Sequence, residues 1–306
     1  MENITYEEIL NFFKQNDSFE NLNTYNETEL PIPFIKKVKH FFNKERVNRQ
    51  AVLGIDIYRY SRVPIPQQNC IPFIFRHLFE RTIKVCITKY GYLFQHYTPE
   101  KLWTCLVPTG DGGFVILCTP LHCLIFAIAF EMNLRSYNTH AIFQKLRHVT
   151  DDISLRYAIT YDDLFMFENN FYGPAIINNA RILNKDRLNR LLYDVDVNKW
   201  FLSNLGGVES LQMLSLERIS QLSEFKDYDP SKMDEGFLIP RIETRKSGIR
   251  TIISSKIGTI ASKDTILDLY NLFVQIDVTE YDEGNPINKI YVVSIGNQNS
   301  SGLEIE

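Results

Sequence analysis

Three glycines and an aspartate within five positions, Thr109-Gly110-Asp111-Gly112-Gly113, constrain this chain more than any other segment. No helix interior tolerates that density of glycine. The run lies between Leu102–Val107, which reads as a strand, and Phe114–Leu117, which reads as its return. The spacing predicts a β-hairpin with an aspartate in its turn.

A hairpin needs neighbouring strands. Residues 51–57, Ala-Val-Leu-Gly-Ile-Asp-Ile, read as a buried strand that reaches an acidic residue, Asp56, near its end. Ser154–Thr160 reads as another strand, with Leu164–Glu168 expected to pair with it. Leu272–Val278 and Lys289–Ile295 read as a late hairpin around Asp282-Glu283-Gly284-Asn285-Pro286. Helical spacing appears at Tyr6–Phe13, at Ile71–Ile87 and across 120–138. Gly173-Pro174 opens a helix running to about Asn184, with proline in the first turn. Phe34–Arg49 reads as a basic helix carrying Lys36, Lys37, Lys39, Lys44, Arg46 and Arg49, and residues 185–240 read as mostly helical and polar. The resulting order predicts an α+β fold, an antiparallel-rich sheet with helices on one face. The nearest architecture is the ferredoxin-like split β-α-β arrangement. The expected organisation is an N-terminal helical extension over 1–50, a catalytic domain over 51–245, and C-terminal strands and tail over 246–306.

Composition narrows the function. Apolar residues are 44% of 306, enough for a full core, and the net charge of -4 speaks against a general nucleic-acid binder. Five cysteines (70, 86, 105, 118, 123) form no CxxC pair and read as reduced, mostly buried thiols. Six histidines show no zinc-site spacing. The start, Met1-Glu2-Asn3-Ile4, lacks the pattern of a secretory signal. The most apolar stretch, Pro120–Met132, is too short to span a bilayer and contains His122 and Glu131. These features predict a cytoplasmic protein without a membrane span.

Asp56 and Asp111 each have a plain structural role open to them, as a strand-end and a turn residue. On neighbouring strands of one sheet their side chains would meet. Two close carboxylates repel unless they are protonated or bridged by cations. Magnesium or manganese resolves that repulsion and also binds a triphosphate.

In these residues the chain resembles the class III nucleotidyl cyclases. The first family motif is an apolar strand, Asp-Ile, then an aromatic and a hydroxyl residue, here Asp56-Ile57 with Tyr60 and Ser61. The second is Gly110-Asp111-Gly112. The third is a Gly-led helix, here led by Gly173, ending in Ala180-Arg181-Ile182. The resemblance covers roughly 50–185. It implies two Mn²⁺ or Mg²⁺ ions per site, held by Asp56, Asp111 and the Ile57 carbonyl. It implies that the backbone of Ile57, Tyr58, Arg59, Tyr60 and Ser61 cradles phosphates. It also implies a homodimer with sites at the interface, in which Arg181 of one copy stabilises charge on substrate held by the aspartates of the other.

Three positions depart from purine cyclases. Val107 stands where a base-reading lysine is usual. Asn170 replaces the second base-reading residue. Ile177 takes the place of the transition-state asparagine, with Asn178 and Asn179 displaced by one and two. Losing polar recognition groups changes base specificity. The pattern is similar to the bacterial Pycsar pyrimidine cyclases, stand-alone enzymes that make cyclic UMP or cyclic CMP in anti-phage defence. That resemblance implies UTP or CTP as substrate and a separate effector activated by the cyclic nucleotide. It implies no direct nucleic-acid or membrane partner. A purine cyclase, a catalytically silent nucleotide-binding module and a polymerase-like palm remain competing readings. Lys246, Lys256 and Lys263 are unranked candidates for a triphosphate-gripping lysine.

Overall fold

Ala51, Leu53, Ile55 and Ile57 alternate with Val52, Gly54 and Asp56, and a strand sends two such sets to opposite faces. The computed structural model shows that division governing the molecule. It describes residues 1–16, 32–43, 45–139, 144–232, 238, 248–262, 265–282 and 285–304.

In chain order the elements are β1 (Asn3–Ile4), α1 (Tyr6–Gln15), α2 (Ile32–Phe41), β2 (Val47–Ile57), α3 (Ile65–Lys89), α4 (Pro99–Thr104), β3 (Leu106–Pro108), β4 (Gly112–Leu117), α5 (Pro120–Thr139), α6 (Gln144–Thr150), β5 (Leu155–Phe167), β6 (Asn170–Tyr172), α7 (Pro174–Lys185), β7 (Leu191–Asp194), α8 (Val195–Leu205), α9 (Leu216–Ile219), β8 (Ile249–Ser262), β9 (Thr265–Asp282) and β10 (Asn285–Ile295). They build one sheet in the order β10-β9-β7-β5-β2-β4-β3, with β1 and β6 on β5 and β8 on β9. Within it, β5-β2-β4-β3 is antiparallel throughout. With α3 and α5 as the crossovers, this is the split β-α-β arrangement that the element order predicts.

One face of β2 packs Ala51, Leu53, Ile55 and Ile57 against α3 and α5 in the main core. Phe79 of α3 meets Phe126 of α5 at 5.3 Å between ring centroids. Helix α5 is buried on nearly every side from Pro120 to Glu131, as a central helix must be. The other face carries Val52, packed with Ile116, Leu164 and Ala175 under α7.

Several expectations change. The basic helix stops at Phe41, because Asn43 Oδ1 accepts the Glu45 and Arg46 N–H groups in an Asx turn. Arg49 therefore lies in β2. Residues 102–104 are helical, begun at Thr98, whose hydroxyl accepts the Lys101 N–H. Leu164–Phe167 does not fold back on Ser154–Thr160. It continues the same strand, and the return is β6, turned by Glu168 and Asn169 at φ 49° and 60°. The 185–240 region contains β7, and β8 precedes the late hairpin. Only Cys86 and Cys123 are buried, while Cys118 is exposed. Among the described residues no helix is long and apolar enough to cross a membrane.

Candidate active site

The register of β2 against β4 places Asp56 opposite Gly112, one residue from Asp111. A Cβ at Gly112 would lie 2.0 Å from the Ile55 carbonyl oxygen, so only glycine allows the turn this close to β2. The Ile57 N–H donates to the Asp111 carbonyl at 3.0 Å and fixes the turn aspartate against the end of β2. The two carboxylates then face one another. Burial raises the Asp56 carboxyl to about 6, the Arg156 guanidinium opposes that shift, and the Asp111 charge adds to it.

Arg156 is the residue that the sequence motifs missed. It stands opposite Asp56 on β5 and forms an ion pair with it through Nε. Its Nη1 donates to the Asp186 carbonyl at 2.6 Å.

Beyond β2 the chain turns sharply. The Tyr58 N–H donates to the Ser154 carbonyl at 2.9 Å. Arg59 is left-handed, at φ 61° and ψ 25°, and Tyr60–Arg62 form one 3₁₀ turn. A left-handed residue followed by a right-handed turn is a backbone form that gathers N–H groups into an anion-binding concavity. Arg59 lies over the Tyr58 ring at 4.8 Å, the Tyr60 hydroxyl donates to the Gln68 carbonyl at 3.4 Å, and Ser61 is exposed.

Helix α7 supplies the next group. Asn179 is fully buried and its Nδ2 donates to the Val52 and Ala158 carbonyls at 2.9 and 3.0 Å, pinning α7 to β2 and β5. Arg181 Nη1 donates to Asn178 Oδ1 at 3.2 Å, so those two expected site residues do lie together. Ile177 is 51% exposed. Among the described residues no hydrogen bond or ion pair joins Arg181 to Asp56 or Asp111.

Val107 packs with the apolar cluster of Val52, Ile116 and Leu164 and offers no polar group. Asn170 is exposed and its Oδ1 accepts the Phe171 N–H at 2.9 Å. Its partner on β5, Phe167, is about 35 Å of strand away from Arg156. One copy of the chain therefore does not bring Asn170 to the aspartates. Lys256 is held by Asp268 at 2.7 Å, and Lys246 and Lys263 lie outside the described residues.

No family model matches the chain, and neither does any curated protein. Solved structures do. The adenylate/guanylate cyclase/hydrolase from Silicibacter pomeroyi is 13% identical, over 74% of this chain and 96% of that one, with a TM-score of 0.43. The adenylyl cyclase CyaB from P. aeruginosa is 10% identical, over 74% and 95%, with a TM-score of 0.42. A dimeric guanylyl cyclase domain of the RhoGC fusion protein from the aquatic fungus Blastocladiella emersonii is 9% identical, over 73% and 95%, with a TM-score of 0.40.

The donor set of this chain suits a divalent pair. Among the described residues no group of three or more His, Cys, Asp or Glu side chains is poised to cage an ion. Two facing carboxylates and a backbone carbonyl at a strand end are instead what magnesium or manganese shares with substrate phosphates. Burial is the main cause of the raised proton affinity of Asp56, with a smaller part from the Asp111 charge, and a cation bound there would offset both.

Proposed function

We propose that this chain is a cytoplasmic nucleotidyl cyclase that converts UTP or CTP to the 3′,5′-cyclic monophosphate and pyrophosphate. The observation that carries it is the facing pair Asp56 and Asp111, set beside Arg156 and the left-handed turn at Arg59.

Asp56, Asp111 and the Ile57 carbonyl are the proposed ligands of two divalent ions. Bound there, such ions would lower the pKa of the 3′-hydroxyl and neutralise charge on the departing pyrophosphate. The 3′-hydroxyl gives its proton to solvent, its oxygen bonds to the α-phosphorus, and the bond from that phosphorus to the oxygen bridging to the β-phosphorus breaks, releasing pyrophosphate. The turn over Tyr58–Ser61 receives the phosphates. Arg156 pairs with Asp56 in the free chain, and with a divalent ion bound at Asp56 its guanidinium would be free to turn to a polyphosphate, its natural bidentate partner. Arg181, beside Asn178, stabilises the charge that develops on the reacting phosphate. Because no hydrogen bond or ion pair among the described residues joins Arg181 to the aspartates of its own chain, we assign that role to the Arg181 of a second copy. Residues 51–245 form the catalytic domain in this reading, flanked by 1–50 and 246–306.

The pyrimidine preference rests on Val107, which has no group to pair with a purine edge, and on Asn170, which can donate and accept. A purine substrate would leave the reaction the same. A separate effector and a role in anti-phage defence follow only if the product is a cyclic pyrimidine nucleotide. Asp56→Ala or Asp111→Ala is expected to lower turnover by about 10³-fold or more while leaving the circular dichroism spectrum unchanged. Product yield equal to wild type in either variant would overturn the two-metal assignment.

A further inference from the structure

Arg190 heads the fully buried side chains among the described residues, with 0% of its side chain exposed. Its Nε donates to Asp186 Oδ2 at 3.1 Å. Its Nη2 lies 2.8 Å from Oδ1, held by charge without an aligned hydrogen bond. Its Nη1 donates to the Asn299 carbonyl at 2.5 Å. A buried ion pair of this kind adds little stability over apolar residues of similar size. Its placement is more informative. The Asp186 carbonyl accepts Arg156 Nη1, and the Arg190 carbonyl accepts the N–H of Tyr157, the next residue along β5. Through their backbone carbonyls the two residues are thus tied to the Arg156 side chain and to the residue that follows it.

The C-terminal segment completes the arrangement. Asn271 Nδ2 donates to the Asn297 carbonyl at 2.6 Å, and Asn297 Nδ2 donates to the Asn189 carbonyl at 3.1 Å. The Arg187 N–H donates to the Gly302 carbonyl at 3.0 Å, and the Glu304 N–H to the Lys185 carbonyl at 2.9 Å. Residues 297–304 therefore strap the 185–190 turn from outside.

We propose that the Asp186–Arg190 pair, strapped by residues 297–304, is a positioning unit that holds Arg156 ready for the polyphosphate of a bound substrate. This rests on the cyclase reading for what Arg156 meets. Neither Asp186 nor Arg190 touches the reacting atoms, so both act through Arg156.

The test is a mutant cycle read by calorimetric binding of inorganic triphosphate in the presence of Mg²⁺. Arg190→Met alone strands the Asp186 charge and endangers folding, so the main variant is Asp186→Leu with Arg190→Met, which removes both charges. It strands no charge, though the Leu188 N–H and the Asn299 carbonyl lose their side-chain partners, so it is expected to stay folded with a modestly lowered melting temperature and to bind triphosphate about fivefold more weakly. Arg156→Met is expected to weaken binding about tenfold, and adding it to the double variant should cost nothing further. With nucleoside triphosphate as substrate, the loss should fall on KM more than on kcat. Wild-type affinity in the double variant, or independent losses that multiply in the triple variant, would overturn the positioning role. If the cycle holds but no nucleoside triphosphate is cyclised, the cyclase reading falls and the positioning role stands. Absence of triphosphate binding to the wild type would overturn both.

Discussion

At the scale of single residues, Asp56 carries the conflict between stability and function. Its carboxyl is raised to about 6 from an ordinary value of 3.8, chiefly by burial. Between those values the folded chain holds a proton that the unfolded chain has released. Stability therefore falls as pH rises through the window, and the full deficit is present above about pH 6. Asp56→Asn removes that charge. With EDTA present, it is expected to stabilise the fold by about 2 kcal/mol at neutral pH, allowing for the water that still reaches the pair. The gain should vanish as pH falls toward 4. Thermal melts of both proteins across pH check this, and equal curves at neutral pH would contradict the strain assigned to the site. Gly54 poses a different residue-scale demand. A Cβ there would lie 2.0 Å from Asn179 Oδ1. Asn179 is anchored and cannot yield, so Gly54→Ala is expected to cost about 1–3 kcal/mol by pushing α7 off the sheet. Chemical denaturation measures that directly.

At the scale of elements, the parts most legible in the sequence were those with strong local signals. The glycine-rich turn at 109–113, the alternating run at 51–57 and the proline-led helix at 174 all stand where their residues put them. Their local chemistry leaves few options. The parts that were not legible depend on partners distant in sequence. Arg156 begins an ordinary strand, and only the register of β5 on β2 sets it opposite Asp56. No spacing rule specifies register between strands a hundred residues apart. Leu164–Phe167 looked like a second strand because Tyr161-Asp162-Asp163 is polar and turn-like. Yet these residues continue β5 in register with Arg49, Gln50 and Ala51. Thr98-Pro99-Glu100 is a helix start, yet the apolar residues after it also suit a strand, so local sequence alone does not separate α4 from β3.

At the scale of the whole molecule, the proposed dimer answers the separation of Asp56 and Asp111 from Asn170, and the absence among the described residues of a hydrogen bond or ion pair from Arg181 to either aspartate. In that proposal two copies of the chain supply what one does not bring together. Mixing an Asp111→Ala protein with an Arg181→Ala protein is expected to restore roughly a quarter of wild-type activity, since random pairing makes half the dimers mixed and each of those keeps one intact composite site. Mixed dimers that form and remain inactive would contradict the shared site.

The most direct measurement is incubation of the purified protein with each of ATP, GTP, CTP and UTP in the presence of Mn²⁺, with the products identified by mass spectrometry. The account predicts a cyclic pyrimidine monophosphate and pyrophosphate. Cyclic AMP or cyclic GMP would overturn the reading of Val107 and Asn170, and no cyclic product from any of the four would contradict the cyclase itself.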